Sequence, residues 1–515
     1  MENTFRVLLV TDNHLGYADQ DPVRKNDSFL TFEEILRNAV ALDVDMILHA
    51  GDLFHENKPP KETLVKTAEL LRTYCMGGKP STVEVLSNTE KCFSSKFDHP
   101  NYLDPNYNVA VPIFAIHGNH DDAAGIDSVS PLEILGVSGL LNYFGRQTKT
   151  DRILLKPILF QKGDSFLALY GLGNIKDEFL ERCFMKNNVE VEYPPGDRKW
   201  FSVLLLHQNR HRRGASMSVI HEKYLDSVFD LVVWGHEHGN LLTPTRCQEK
   251  GFHVTQPGSS IPTSASPEET TERSVGFLAV SGASFKIDRV PLYTPRPFVV
   301  RSFSLADLPK HILGDTKKTE RIICDTIDEK LDETAAKWKE HCEEGRTSRP
   351  FVADLLPASM RPQLRVFLET DGKLALSTHR ITQHFFDKIA NGKNVVRLKQ
   401  STRAKRSLDN ETTLPVKTPG EATVEDILQN TLAQNSLELL PPSILNEKMI
   451  QFIEKDEKNK LSVFLEDFLQ STEDTLFARK IDLDETAIKN AVDLEARLRR
   501  ALEEHPKENS EEINQ

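Results

Sequence analysis

Five short apolar runs in the first half of the chain each stop on side chains that can ligate a metal ion or carry a proton. Arg6–Thr11 runs into Asp12-Asn13-His14, Met46–Leu48 into Gly51-Asp52, and Val111–Ile116 into Gly118-Asn119-His120-Asp121. Ser202–Leu206 runs into His207, and Leu231–Trp234 into Gly235-His236-Glu237-His238. Runs this short and this apolar read as buried strands of a mainly parallel sheet. Open α/β sheets hold their ligands in the crevice beyond the carboxyl ends of the strands. One histidine after one strand is usually a surface or core residue. Five strand ends closing on Asp, Asn or His define a site, and the expected class is α/β.

The candidate ligands are Asp12, His14, Asp52, Asn119, His207, His236 and His238, with no cysteine among them. Carboxylate, amide and imidazole donors without thiolate disfavour a closed zinc site and suit Mn or Fe. Seven side chains exceed what one ion needs if it must also hold water and substrate. They suit two ions about 3.5–4 Å apart, sharing one carboxylate, the arrangement of two-metal phosphoryl hydrolysis. Asp52 is the expected bridge, because it follows a glycine on a central strand. His120 stands beside a ligand without being needed as one, which makes it the expected general acid for the leaving oxygen. Asp121 is expected either to hold the other ring nitrogen of His120 or to cap the next turn.

Asp-x-His, Gly-Asp, Gly-Asn-His-Asp, His and Gly-His-x-His, in this order, resemble the calcineurin-like metallophosphoesterase signature. Protein phosphatases of that superfamily carry Gly-Asp-x-x-Asp-Arg-Gly and Gly-Asn-His-Glu, whereas this chain has Gly51-Asp52-Leu53-Phe54-His55 and Gly118-Asn119-His120-Asp121-Asp122. With Asp12-Asn13-His14-Leu15-Gly16-Tyr17, Leu206-His207-Gln208-Asn209-Arg210 and Gln256-Pro257-Gly258-Ser259-Ser260, the chain resembles a narrower group. That group is the meiotic recombination 11 family, the nuclease subunit of the eukaryotic MRN/MRX double-strand-break repair complex. The resemblance runs from about residue 5 to about residue 505. One departure is His49-Ala50-Gly51, where the family usually has a glycine pair; Ala50 is small, so the turn should survive.

The resemblance implies a two-sheet metallophosphoesterase sandwich flanked by helices, a small α+β capping domain and a C-terminal helical partner-binding extension. It implies two Mn²⁺ per chain, single-strand endonuclease and 3′-to-5′ exonuclease activity, and a role for His55 in positioning DNA. It also implies a nuclear homodimer on DNA ends, with a nibrin-type regulatory subunit and an SMC-like coiled-coil ATPase as partners. The competing readings are a protein or nucleotide phosphatase, and a DNA-end scaffold whose hydrolysis is incidental.

The net charge of −13 argues mildly against a nucleic-acid binder. Distribution matters more, since the last hundred residues are enriched in acid and a metal pocket contributes carboxylates of its own. No run of eighteen apolar residues occurs, and Met1–Phe5 shows no basic-then-apolar leader, so neither a membrane span nor a signal peptide is expected. Six scattered cysteines form no metal or redox spacing and read as reduced thiols.

Along the chain, Phe29, Phe32, Ile35, Leu36 and Ala39 mark a first helix capped by Asp27 or Ser28. Leu64, Val65, Ala68 and Leu71 mark a second, from about Lys61 to Tyr74. In the resembled family helices near here form the dimer contact, with Leu132, Ile134 and Leu135 as candidates for its other half. Residues 77–108 lose periodicity and form an insertion, which the resemblance assigns to the regulatory subunit. The nuclease domain is expected over 1–295, the capping domain over 296–407, a linker over 408–422, a helical region that binds the ATPase coiled coil over 423–505 and a disordered tail over 506–515. Arg210, Arg212 and Arg213, directly after His207, are candidate phosphate contacts, as are Lys393, Arg397 and Lys399 in the capping domain. Leu461, Phe464, Leu465, Phe468 and Leu469 make an amphipathic stripe with no core of its own, which the resemblance assigns to the ATPase coiled coil.

Overall fold

A computed structural model describes residues 3–400, apart from 90–91, 94–96, 124–128, 148–151, 212–218, 265–266, 305–315, 371–375 and 393–394. In it β1 (Phe5–Val10), β2 (Met46–Ala50), β4 (Ile113–Ile116) and β5 (Asn142–Tyr143) lie parallel in that order. β14 (Ser274–Ser281) adds antiparallel to β1, and β15 (Ser284–Pro291) forms a hairpin with it. A second sheet is built on β8 (Ser165–Leu172), β10 (Trp200–His207), β11 (Leu231–Gly235) and β13 (His253–Gln256), again parallel. β12 (Leu241–Arg246), β7 (Ile158–Lys162) and β3 (Glu84–Val85) complete it with antiparallel strands, and β6 (Ile153–Leu155) and β9 (Val189–Val191) form a separate parallel pair.

The two sheets face each other across one apolar layer. Val7, Leu9, Leu48, Phe114 and Ile116 from the first meet Leu167, Leu169, Val203, Leu205 and Val233 from the second. The alternating residues Leu8, Val10, Ile47 and Ala115 turn outward against α1 (Asp27–Ala41) and α2 (Lys61–Tyr74). Leu204, Leu206, Val232 and Trp234 turn outward against α4 (Asp177–Met185), which follows the short α3 (Pro131–Val137). Strands buried on both faces must be apolar throughout, which is why these runs show no alternation.

Local expectations need correction in three places. Asp27 does not cap α1; its carboxylate accepts from Arg296 Nε and Nη2 at 2.6 and 2.7 Å. Ser28 does not cap it either; its hydroxyl oxygen accepts from the Gly16 N–H at 3.3 Å. On α2 the buried face is Thr63, Thr67 and Leu71, while Val65 is 55% exposed. Leu132 and Leu135 are part of the intrachain core, so of the three dimer candidates on α3 only Ile134, 50% exposed, faces out. The described part of the insertion packs on the body: Val83 is buried, and Asn101 exchanges hydrogen bonds with Asn142 and the Gly139 carbonyl.

Beyond Leu292, β16 (Phe298–Ser304), β17 (Gln363–Thr370) and β18 (Val396–Gln400) form a separate parallel sheet. α5 (Thr316–Ser348) and α6 (Thr378–Phe385) cover one of its faces, closing a core of Val299, Ile323, Ile327, Leu364, Val366, Leu368 and Phe385. This cap is tied to α1. Besides the buried Arg296–Asp27 pair, Glu34 accepts from the Tyr293 and Thr294 N–H groups, and Arg349 reaches Asn38 at 2.8 Å. No helix among the described residues is long and apolar enough to cross a membrane.

Candidate metal centre

The strand ends supply the site, and their backbone is bent to do so. Asp12, His14, Asp52 and His236 have φ of 52°, 48°, 56° and 75°. Left-handed backbone costs an L-residue about 1–2 kcal/mol, so neighbouring contacts must hold these residues there. Asp12 N donates to Gly51 O at 3.0 Å, His14 N to Asp52 O at 3.1 Å and Leu15 N to Leu53 O at 2.8 Å, lacing the first loop to the second. Gly118 is required by space, because a Cβ there would overlap the Asp52 carboxylate and the His207 ring.

The structure brings all seven ligand candidates together, in two groups that meet at Asp52. Asp12 Oδ1 lies 3.8 Å from His14 Nε2 and 3.7 Å from His238 Nε2. Asp52 Oδ2 lies 3.4 Å from His207 Nε2, and Asn119 Oδ1 lies 3.3 Å from that atom and 2.8 Å from His236 Nδ1. The same Asp52 Oδ2 is 3.8 Å from His14 Nε2, so one oxygen faces both groups.

Ring tautomers decide what the groups can hold. His238 Nδ1 donates to Glu269 Oε1 at 2.9 Å, and His207 Nδ1 to Ala50 O at 2.7 Å. His236 Nε2 donates to Asn209 Oδ1 at 3.0 Å, and Asn209 is itself oriented by donating to Asp177 Oδ2 at 2.6 Å. In each neutral ring the other nitrogen is then a bare lone pair aimed inward. His236 Nδ1 meets the Asn119 carbonyl oxygen, and Asp12 Oδ1 is buried without a hydrogen-bond partner. Facing acceptors repel unless a cation stands among them, so these residues fit bound divalent ions. Burial opposes charge on His207, but Asp52 and Asp12 push it up to about 9, so the carboxylates draw positive charge to Nε2 and a bound divalent ion would take the place of that proton; burial holds His14 well below its ordinary value.

His120 presents itself to this cluster. Its Nδ1 donates to the His55 carbonyl at 2.7 Å, and its ring stacks on His55 at 5.0 Å and edges His14 at 4.9 Å. Asp121 does neither thing expected of it. Its carboxylate accepts from Leu53 N, Phe54 N and Gly118 N at 2.7, 3.1 and 2.7 Å, joining the second loop to the third. Burial and the Asp52 charge push it up to about 7, against the Gly118 and Phe54 N–H groups. The next helix is capped by Ser130 instead, in a reciprocal box with Glu133. His55 Nδ1 stands 3.5 Å from His14 Nδ1, and burial, then the neighbouring His120, takes His55 down to about 4.

Arg210 has partners within the chain: its guanidinium donates to Glu222 at 2.6 Å and lies over Trp234. Arg212, Arg213 and Lys393 lie outside the described residues, as do Leu461, Phe464, Leu465, Phe468 and Leu469. Arg397 is exposed on β18, where Lys399 also belongs. Glu269, Asp177 and the orienting role of Asn209 had no local signal, since each acts on a histidine brought to it by the fold.

A calcineurin-like phosphoesterase family model matches residues 5–240, and a model described as the Mre11 DNA-binding presumed domain matches residues 285–452. The chain is 39% identical to the double-strand break repair protein mus-23 of Neurospora crassa, over 96% of this chain and 68% of that protein. It is 38% identical to the double-strand break repair protein MRE11 of Gallus gallus and 37% identical to that of Homo sapiens. Those alignments span all of this chain and 73% and 72% of the relatives.

Proposed function

Because the chain belongs to the MRE11 family of double-strand break repair proteins, we propose that it is a two-metal, manganese-dependent DNA nuclease. It would cut single strands internally, digest duplex ends 3′ to 5′, and tether those ends in the nucleus. The observation that carries this reading is the pair of facing-acceptor groups that share Asp52, with His120 beside them. Divalent ions bound there would neutralise phosphoryl oxygens and activate water for in-line attack on a phosphodiester. Asp12, His14, Asp52 and His238 would hold one ion, and Asp52, Asn119, His207 and His236 the other. The oxygen and nitrogen donors, with no thiolate, favour Mn²⁺.

The protein's own work is proton placement and alignment. The His55 carbonyl keeps the Nδ1 proton of His120 in place, leaving Nε2 to deliver a proton to the departing oxygen. His55, stacked on His120 and edged by Tyr17 at 5.0 Å, would line the strand's path. Arg397, with Lys393, Lys399, Arg212 and Arg213, would contact DNA backbone. Residues 1–295 would form the nuclease domain and 296–407 the cap. The remaining partners follow the family reading: a second copy of this chain, a nibrin-type subunit at 77–108, and an SMC-like ATPase on Leu461, Phe464, Leu465, Phe468 and Leu469.

Metal analysis of the purified chain, together with cleavage of single-stranded DNA circles in Mn²⁺, tests the reading. Wild type should bind two ions and open the circles, and Asp52→Ala should do neither. Hydrolysis of a nucleotide phosphomonoester with intact circles would make it a phosphatase instead.

A further inference from the structure

The ring of His236 has two hydrogen-bonding choices, and only one of them leaves a nitrogen for a cation. Its Nδ1 stands 2.8 Å from the Asn119 side-chain oxygen, and its Nε2 stands 3.0 Å from the Asn209 side-chain oxygen. A neutral ring donates through one nitrogen and offers a lone pair at the other. With the proton on Nε2, the lone pair of Nδ1 points at the Asn119 oxygen and an ion can stand among them. With the proton on Nδ1, the ring closes on Asn119 through a hydrogen bond of ordinary length, and that seat is blocked.

Asn209 selects between the two states. Turned one way, its amide presents oxygen to His236 and holds the proton on Nε2. Turned the other way, it would donate to Nε2 and send the ring proton to Nδ1. The two orientations have nearly the same shape, so a third group must fix one of them. That group is Asp177, the first residue of α4, whose Oδ2 accepts from Asn209 Nδ2 at 2.6 Å. An ionised carboxylate only accepts, so it takes the amide's N–H end and leaves the oxygen for His236. Burial pushes the Asp177 carboxyl above its ordinary value, and the side-chain and backbone N–H groups of Asn209 act against that. The start of a helix also favours a negative charge. His238 and His207 are held differently: Glu269 and the Ala50 carbonyl offer them oxygen whichever way they turn.

We propose that Asp177 is a positioning residue for the seat formed by Asp52, Asn119, His207 and His236: by fixing the Asn209 amide it keeps the ring proton of His236 on Nε2 and leaves Nδ1 open to a divalent ion. Without that carboxylate the amide can turn, and His236 closes on Asn119 instead. The inference rests on the two-metal reading above. It adds what keeps one of the two seats ready.

Calorimetric Mn²⁺ titration of the full chain, with nitrogen NMR spectra of its histidine rings in the metal-free state, tests this. In wild type the His236 ring, identified by its loss in His236→Gln, should carry its proton on Nε2. In Asp177→Asn the proton should shift towards Nδ1, and one Mn²⁺ of two should bind about 10–100-fold more weakly. Asn209→Leu, which leaves Asp177 in place, should give the same loss of affinity. Asp177→Asn combined with Asn209→Asp puts a carboxylate directly on Nε2 and should restore both tautomer and affinity, which a merely structural role for Asp177 would not do. A wild-type ring protonated on Nδ1, an unchanged Mn²⁺ affinity in Asp177→Asn, or a deficit that the combined change leaves in place overturns the proposal while the two-metal reading stands. A wild-type chain that binds fewer than two ions overturns both.

Discussion

Glu269→Gln tests whether the metal centre depends on a residue that touches no ion. Glu269 is buried, and its Oε1 accepts from His238 Nδ1 at 2.9 Å and from Thr263 N at 3.1 Å. The carboxylate fixes the ring so that Nε2 faces Asp12, and its charge raises the basicity of that nitrogen. A hydrogen bond to a charged group is worth about 1.5–3 kcal/mol. Gln keeps an acceptor oxygen but loses the charge, so most of that energy should leave the metal–ligand bond. The expected result is about a 10–100-fold weaker apparent affinity for one Mn²⁺ of two, read by calorimetric titration of the full chain. Arg273, also buried and close to Glu269, loses its compensating charge, so the metal-free variant should melt lower as well. The titration is therefore run well below that Tm. Because Glu269 contacts no reacting atom in this geometry, the activity lost at low Mn²⁺ should return at saturating Mn²⁺. Unchanged affinity for both ions, or a deficit that persists at saturation, refutes the argument.

His120→Ala should lower DNA cleavage by about 10²–10⁴-fold with both metal affinities intact, and should cost much less on a diester whose leaving group needs no proton, such as a 4-nitrophenyl ester. Asp121→Ala should destabilise by roughly 1–3 kcal/mol or more in urea unfolding, because three backbone N–H groups lose their acceptor; a fully stable variant would contradict that role. Arg296→Ala leaves Asp27 buried and unpaired, at a cost of about 3–5 kcal/mol, which chemical denaturation would read as earlier unfolding. In the cap, burial works against the Asp328 charge, but hydrogen bonds from His384 and Lys388 hold its carboxyl below the ordinary 3.8. A depressed folded value means the clamp contributes stability above the ordinary carboxylate range and loses it as pH falls further. Asp328→Asn should flatten that acid limb of the melting curve, and an unaltered limb counts against the clamp.

The parts of this molecule legible in the chain are those where a local pattern carries the physics. A strand buried on both faces must be apolar at every position, so Leu8 and Leu9 are both informative although they face different layers. The ligand candidates stand at the ends of such strands, where the parallel arrangement carries separate loops into one crevice. What could not be read is the second partner of each polar side chain. Asp121 follows His120 in sequence, yet its carboxylate turns to the N–H groups of Leu53 and Phe54, more than sixty residues earlier. Arg210 stands in a basic run, but Glu222 claims it once the chain doubles back. Glu269 reaches His238 across thirty-one positions, a spacing that no periodicity reports. Helix faces fail for a related reason: Val65 and Leu71 both suit an apolar stripe, and only the packing of α2 on the body decides that Thr67 goes in and Val65 stays out. Sequence pattern therefore locates the donors, while the burial of carboxylates and amides behind them determines which lone pair each donor offers. Those hidden acceptors are where substitutions should move metal affinity without touching the ligands themselves.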